Sequence, residues 1–270
     1  VIRVAAVGDV HLGADARGTL RAELSGIEEH ADLLLLAGDL TRTGAPDEIE
    51  VLAGEVRGVP VPVVAVLGNH DHHRDLGDLM AGSLRDAGVT VLEGDATAVR
   101  VRGRTVGVAG VKGFGGGFQG RSGAEFGEPE MKAFMAHSRE RADALRVALE
   151  GLEGRCDVRI ALTHYAPVPD TVAGEPPEIH AWLGSYLLAE AIDRGGAALA
   201  VHGHAHAGTE KGVTAGGVRV RNVARPLIRS PYRIYHLLED QLPVGGRTAR
   251  SGTVVQGAAS RAARSPASSA

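Results

Sequence analysis

Five short apolar runs in this chain each end in a turn of Gly, Asp, Asn, Thr or His, and that repeated ending constrains the fold more than any other feature. The runs are Val1–Val7, closed by Gly8-Asp9-Val10-His11; Leu33–Ala37, closed by Gly38-Asp39; Val61–Leu67, closed by Gly68-Asn69-His70; Val158–Leu162, closed by Thr163-His164; and Leu199–Val201, closed by His202-Gly203-His204-Ala205-His206. Unbroken apolar runs of this length suit strands covered on both faces. Helical spacing falls between the first of them, over Leu20–Glu29, Asp47–Val56 (with Pro46 and Asp47 suiting its start) and Leu76–Ala87 (stopped by Gly88). Strand, turn and helix in alternation predict an α/β fold.

In open α/β sheets ligands gather at the carboxyl ends of the strands. Strands running in one sense would therefore bring Asp9, His11, Asp39, Asn69, His70, His164, His204 and His206 to one place. Taken singly, each turn is weak: an Asp after a strand is often a cap or turn residue, and Asn-His can be a simple turn. Together they offer carboxylate oxygens and imidazole nitrogens in the number that suits a pair of borderline divalent metals.

The order Asp-x-His, Gly-Asp, Gly-Asn-His-Asp, His, Gly-His-x-His, from Asp9 to His206, resembles the calcineurin-like metallophosphoesterase superfamily. The resemblance implies two facing mixed β-sheets flanked by helices, a four-layer α/β/β/α sandwich. It implies a first metal on Asp9, His11 and His206, a second on Asn69, His164 and His204, and Asp39 bridging them. The cofactors would be two divalent or mixed-valence ions, Mn, Fe or Zn. The activity would be hydrolysis of a phosphodiester or phosphomonoester by in-line attack of a hydroxide held by the metal pair. The alternatives are a strict phosphomonoesterase and a non-catalytic scaffold. By the same resemblance His70 binds no metal and assists the leaving oxygen, a role that suits imidazole. Asp71 either orients His70 or is an exposed carboxylate after the turn. Gly38-Asp39 continues as Leu40-Thr41-Arg42-Thr43-Gly44, not as the Val-Asp-Arg-Gly of protein Ser/Thr phosphatases, and so looks more like the small bacterial phosphoesterases.

The remaining chain adds short strands over Val89–Leu92, Ala98–Val101 and Val106–Val111, a glycine-rich loop over Gly113–Gly123, long helical spacing over Glu128–Leu152 and a helix over Leu183–Asp193. Val218–Val223 and Tyr232–Leu238 read as closing antiparallel strands. The glycine-rich loop lacks the Gly-Lys-Ser/Thr of a phosphate-cradling P-loop and reads as a mobile border to the site. Within it Arg121 is a candidate contact for substrate phosphate or else a solvated cation. Glu175, Trp182 and Tyr186 lie on a segment that would form another wall. His72 and His73 read as solvent-exposed, and His202 as support for a neighbouring ligand.

The formal net charge of −4 gives no signal for nucleic-acid or membrane binding. The substrate expected is a small phosphate ester. A lone Cys156 forms no internal disulfide, so the fold needs no oxidising compartment and a cytoplasmic location is expected. No apolar stretch approaches membrane-spanning length. Residues 1–238 form the expected domain. The Gly, Ser, Ala, Arg and Pro composition of 239–270 reads as a flexible low-complexity tail.

Overall fold

The computed structural model describes residues 1–237; the expected tail, 239–270, lies outside them. Along the chain run β1 (Ile2–Val7), α1 (Thr19–Glu23), α2 (Ile27–His30), β2 (Leu33–Ala37), α3 (Pro46–Val56), β3 (Val63–Val66), α4 (Gly77–Asp86) and β4 (Val89–Val91). Then come β5 (Asp95–Val101), β6 (Arg104–Val111), the small hairpin β7 (Gly117–Phe118) and β8 (Arg121–Ser122), α5 (Pro129–Glu150) and β9 (Val158–Thr163). The chain continues through α6 (His180–Leu183), α7 (Tyr186–Arg194), β10 (Leu199–His202), β11 (Lys211–Val213), β12 (Arg219–Asn222), α8 (Arg225–Ile228) and β13 (Arg233–Leu237).

Two mixed sheets face each other. The first has the order β13-β1-β2-β3-β4 and the second β11-β12-β10-β9-β6-β5. In the first, β1 to β4 are parallel and β13 is the antiparallel edge. In the second, β12, β10, β9 and β6 are parallel, with β11 and β5 antiparallel at the edges.

Side chains along each strand alternate between two buried layers, because successive Cβ atoms point to opposite faces. Ala5, Val7, Leu34 and Leu36 face α1 to α4, while Val4, Ala6, Leu33 and Leu35 face the second sheet. Val108, Ile160, Leu162 and Val201 meet them from that sheet. Ala109, Ala161 and Ala200 point outward under α5 and α7, against Leu145, Leu149 and Leu188. This is the expected four-layer sandwich, and it explains why β2 is leucine on both faces. Burying each such side chain is worth about 1.5–3 kcal/mol.

Three expectations change in detail. The helix over Leu20–Glu29 is two short helices, broken where Gly26 takes a φ of +72°. The helix over Leu183–Asp193 is likewise split, because Gly184 lies where a Cβ would fall 2.0 Å from the Ala166 carbonyl oxygen. Val218–Val223 contains β12, which runs parallel to β10; the antiparallel closure there is made by β11. Among the described residues, no helix is long and apolar enough to cross a membrane.

Candidate metal centre

All five polar turns follow the carboxyl ends of parallel strands: β1, β2 and β3 in one sheet, β9 and β10 in the other. They lock to one another through the backbone. The Asp9 N–H donates to the Gly38 carbonyl (2.9 Å), His11 N–H to Asp39 (3.1 Å) and Gly203 N–H to His164 (3.2 Å). Asp9, His11, Asp39 and His204 all hold left-handed backbone, with φ of 56°, 45°, 50° and 72°. Non-glycine residues adopt this region at a cost, and such strain concentrates at functional sites. Glycines make the close approach feasible. A Cβ on Gly38 would meet the His164 ring at 2.6 Å, one on Gly68 would meet Asp39 Oδ1 at 2.1 Å, and one on Gly203 would meet Asp9 Oδ2 at 2.3 Å.

The side chains form three overlapping triads: Asp9, His11 and His206; His11, Asp39 and His70; Asp39, His164 and His204. Within each, one ligand atom per residue lies within 4.8 Å of the others. His11 belongs to the first two and Asp39 to the last two, so the triads make one continuous row. Asn69 joins it, with Oδ1 2.9 Å from His164 Nε2. Arg121 does not: it sits exposed on β8 opposite Phe118, outside the triads.

The donor chemistry calls for cations. His164 Nδ1 lies 2.9 Å from the Ala37 carbonyl oxygen, which can only accept, so Nδ1 carries the proton. Burial holds this imidazole well below its ordinary pKa, which leaves Nε2 as a bare lone pair. That lone pair faces Asn69 Oδ1 at 2.9 Å and Asp39 Oδ1 at 3.3 Å. The Asp39 carboxylate can only accept, so it and the His164 lone pair need a positive charge between them. His11 Nε2 is enclosed and has no hydrogen-bond partner, with Asp39 Oδ2 3.9 Å away. The residues therefore fit a dinuclear metal site.

Asp9 is anchored by two bonds from His204 N–H, at 2.9 and 3.1 Å, and its Oδ1 lies 3.0 Å from His206 Nε2. Burial pushes its carboxyl up to about 6, with His206 opposing. His70 is fixed differently. Its backbone N–H donates to Asp39 Oδ1 (2.9 Å), and its Nδ1 lies 2.8 Å from the Arg42 carbonyl oxygen and so must donate. Nε2 therefore faces the row, 3.9 Å from Asp39 Oδ2, on a side chain 47% exposed.

Among the neighbours, Asp71 and His72 differ from expectation. Asp71 is fully buried, and its carboxylate makes no hydrogen bond to the His70 ring. Its carboxylate accepts from Thr41 N–H and Oγ1–H (both 2.8 Å), Gly68 N–H (2.8 Å) and Leu40 N–H (3.2 Å), tying the turn after β2 to that after β3. His72 is half-buried with an unpartnered Nε2, whereas His73 is exposed. His202 is buried, and its Nδ1 donates to the Gly203 carbonyl (2.7 Å), bracing the turn that carries His204. The stem of the glycine-rich loop is anchored: Gly116 and Gly117 N–H donate to Ala181 and Gly184 carbonyls at 2.7 and 2.9 Å. Cys156 is packed under Leu152, its thiol pushed up by burial.

Lys112, at the end of β6, is a residue that sequence reasoning passed over. Its ammonium lies 5.3 Å from the Phe114 ring centre and 5.4 Å from that of Tyr165, and the Tyr165 ring is 4.4 Å from His204. A lysine following a strand that carries no ligand had nothing in its spacing to mark it.

Comparison with known proteins places this geometry in context. The family described as calcineurin-like phosphoesterase matches residues 2–208. Two curated relatives, named as probable cyclic nucleotide phosphodiesterases of Synechococcus sp. and Fibrobacter succinogenes, are each 32% identical over 92 and 81 residues. These stretches cover 30% and 27% of this chain and 36% and 32% of the relatives, so the chain matches about a third of their length. Phosphopantetheinyl hydrolase from Mycobacterium tuberculosis superposes with a TM-score of 0.65 at 20% identity, covering 86% of this chain and 95% of that one. The protein TT1561 of Thermus thermophilus gives 0.52 at 19%, covering 82% and 88%. At such identities the structural likeness speaks for the fold alone.

Proposed function

This chain belongs to the calcineurin-like phosphoesterase family, and from that premise we propose that it is a metal-dependent hydrolase of phosphate esters, acting on a small phosphodiester or phosphomonoester. The observation that carries the reading is the row of triads sharing His11 and Asp39. Asp9, His11 and His206 would hold one cation, and Asn69, His164 and His204 the other. Asp39, common to two triads, would bridge them, since a carboxylate can serve two cations and offset their repulsion. Nitrogen and oxygen donors of this kind suit Mn, Fe or Zn. Bound there, such a pair supplies Lewis-acid charge to the phosphate and lowers the pKa of a coordinated water.

The chain's own groups do the remaining work. Nδ1–H of His164, donating to Ala37, fixes the tautomer that aims Nε2 inward, the usual role of a second hydrogen bond on a ligating imidazole. The Arg42 carbonyl does the same for His70, leaving Nε2 as the atom that can carry a proton to a leaving oxygen. The left-handed turns and close-packed glycines hold these groups before substrate arrives. A scaffold without catalysis would have no use for a bare, buried lone pair on His164 or for His70 aimed beside it. The names of the two curated relatives favour a diester substrate.

Elemental analysis of reconstituted protein, followed by turnover on bis(p-nitrophenyl) phosphate, p-nitrophenyl phosphate and a nucleotide panel, tests the proposal. About two metals per chain with turnover on at least one ester is expected. A protein that cannot be loaded, or that loads and turns over no ester, would overturn it.

A further inference from the structure

Aromatic residues make up 3% of this chain, yet four rings line up on one side of the candidate metal centre. Tyr165 packs against His204 with ring centres 4.4 Å apart. Phe114 lies 5.9 Å beyond Tyr165, Phe134 5.0 Å beyond Phe114, and Trp182 5.4 Å beyond Phe134. The row thus runs outward from a proposed ligand to an indole 58% exposed. Its outer end is also tied to the metal row, since the Trp182 carbonyl lies 3.4 Å from His204 Nε2. Phe114 and Phe134 are only part-buried. At the foot of this wall the Lys112 ammonium lies over both Phe114 and Tyr165. No carboxylate lies within ion-pair distance of it among the described residues; Glu93, across the sheet edge, accepts instead from the Lys112 backbone N–H at 3.0 Å.

A cation beside the proposed phosphate site, continuing into packed rings that end in an exposed indole, is an arrangement that receives an anion joined to a planar group. An aliphatic ester would gain little from such a row, whereas a purine or pyrimidine has a π-face to lay against it, as aromatic platforms in nucleic-acid-binding proteins do. We propose that Lys112, Phe114, Phe134, Tyr165 and Trp182 form the subsite for the organic group of the substrate, selecting phosphate esters that carry a planar heterocycle, that is, nucleoside phosphates. The base lies against the exposed Trp182 ring, which Phe134 backs edge-to-face at 5.4 Å, and Lys112 meets the phosphate oxygens. The assignment rests on the phosphoester reading of the centre.

Trp182 is the only tryptophan in the chain, so its fluorescence reports on the outer end of the wall without reference to turnover. Metal-loaded protein is titrated with adenosine 5′-monophosphate and with ribose 5-phosphate, which has the same sugar and phosphate and no base. Saturable quenching by the nucleotide is expected, with a dissociation constant at least ~10-fold below that of ribose 5-phosphate measured by calorimetry. Phe134→Leu and Trp182→Leu should weaken nucleotide binding about 5- to 10-fold and leave ribose 5-phosphate unchanged; Lys112→Gln should weaken both alike. Equal affinity of wild type for the two ligands, or equal loss of both in Phe134→Leu and Trp182→Leu, would overturn the subsite. Turnover of bis(p-nitrophenyl) phosphate by the same preparations separates the two readings. Hydrolysis without base preference sinks the subsite alone, and base-dependent binding without any hydrolysis sinks the enzyme reading while the binding site stands.

Discussion

Replacing Gly68 by alanine puts one methyl group into the centre of the proposed site. Gly68 is not in the left-handed region, so the substitution adds no torsional strain, and its effect comes from what the methyl meets. A Cβ there falls 2.1 Å from Asp39 Oδ1 and 2.2 Å from the Asp39 backbone nitrogen, whereas real Cβ contacts essentially never fall under 3.0 Å. Turning the carboxylate can relieve the first contact but not the second. The turns after β2 and β3 must therefore part by roughly 0.8 Å, the difference between 3.0 and 2.2 Å. That movement pulls on the His70 N–H bond to Asp39 (2.9 Å) and on the Gly68 N–H bond to Asp71 (2.8 Å). Misplacing catalytic groups by on the order of 1 Å costs ~10²-fold in rate, and overpacking costs ~1–3 kcal/mol. Gly68→Ala is expected to lose about 100-fold in kcat, to hold less metal and to melt several degrees lower. Gly82→Ala, in α4, is the control: its Cβ meets nothing within 4 Å, and it should stabilise by ~0.4–1 kcal/mol. The measurements are kcat, elemental analysis and thermal unfolding on both variants. Full metal content and wild-type turnover in Gly68→Ala would refute the reasoning.

Other perturbations follow from the same contacts. His70→Ala should keep both metals and lose ~10²–10⁴-fold in kcat, most for esters with poor alkoxide leaving groups; equal losses on alkyl and nitrophenyl esters would show that it does not donate a proton. Asp39→Ala removes the residue shared by two triads and should lower metal content by more than His206→Ala, as read by elemental analysis. Asp71→Asn cannot accept at both oxygens, leaving a buried donor among Thr41, Leu40 and Gly68 unpaired; a loss of ~1–3 kcal/mol in unfolding free energy is expected. Asp32 is raised by burial but brought down to about 2 by bonds from the Arg3 side chain and backbone and from Arg102. A depressed carboxylate stabilises the fold above its unfolded pKa and loses that stability as pH falls through the folded value, so the gap between wild type and Asp32→Asn should be of order 1 kcal/mol at pH 6, after allowance for solvent screening, and close between about pH 4 and 2.

The architecture was legible because its signals are local and repeated. Strands buried on both faces read as apolar runs, and β2, with Leu33 to Leu36 all buried, is the plainest case. Helices α3, α4 and α5 carried their own start or stop residues, Pro46, Gly88 and Pro129. What escaped was set by tertiary contact. Gly184 splits a helical pattern because the Ala166 carbonyl stands where a side chain would go. β12 pairs parallel with β10 as well as antiparallel with β11 because β10 is its neighbour in space, and nothing in its own residues states that.

At the site, legibility followed the same division. Residues that lie directly after a strand, Asp9, Asp39, Asn69, His164 and His204, declared themselves by position, and the structure brings them into one row with His11, His70 and His206. Their supports were hidden because each acts through the backbone. Asp71 looks in sequence like a turn carboxylate, yet it is buried by four donors from two turns. Its charge fixes Leu40, Thr41 and Gly68, the residues flanking Asp39 and Asn69, so it acts on the centre without touching it. The anchoring of the glycine-rich loop's stem was hidden for the related reason that glycine in isolation signals mobility. Here Gly115 and Gly117 lie where a Cβ would fall 2.8 Å from the Ala181 carbonyl and 2.4 Å from that of Arg121. The same residues that would free a solvated loop instead let this one pack its backbone against α6, and that contact carries Trp182 to the edge of the centre.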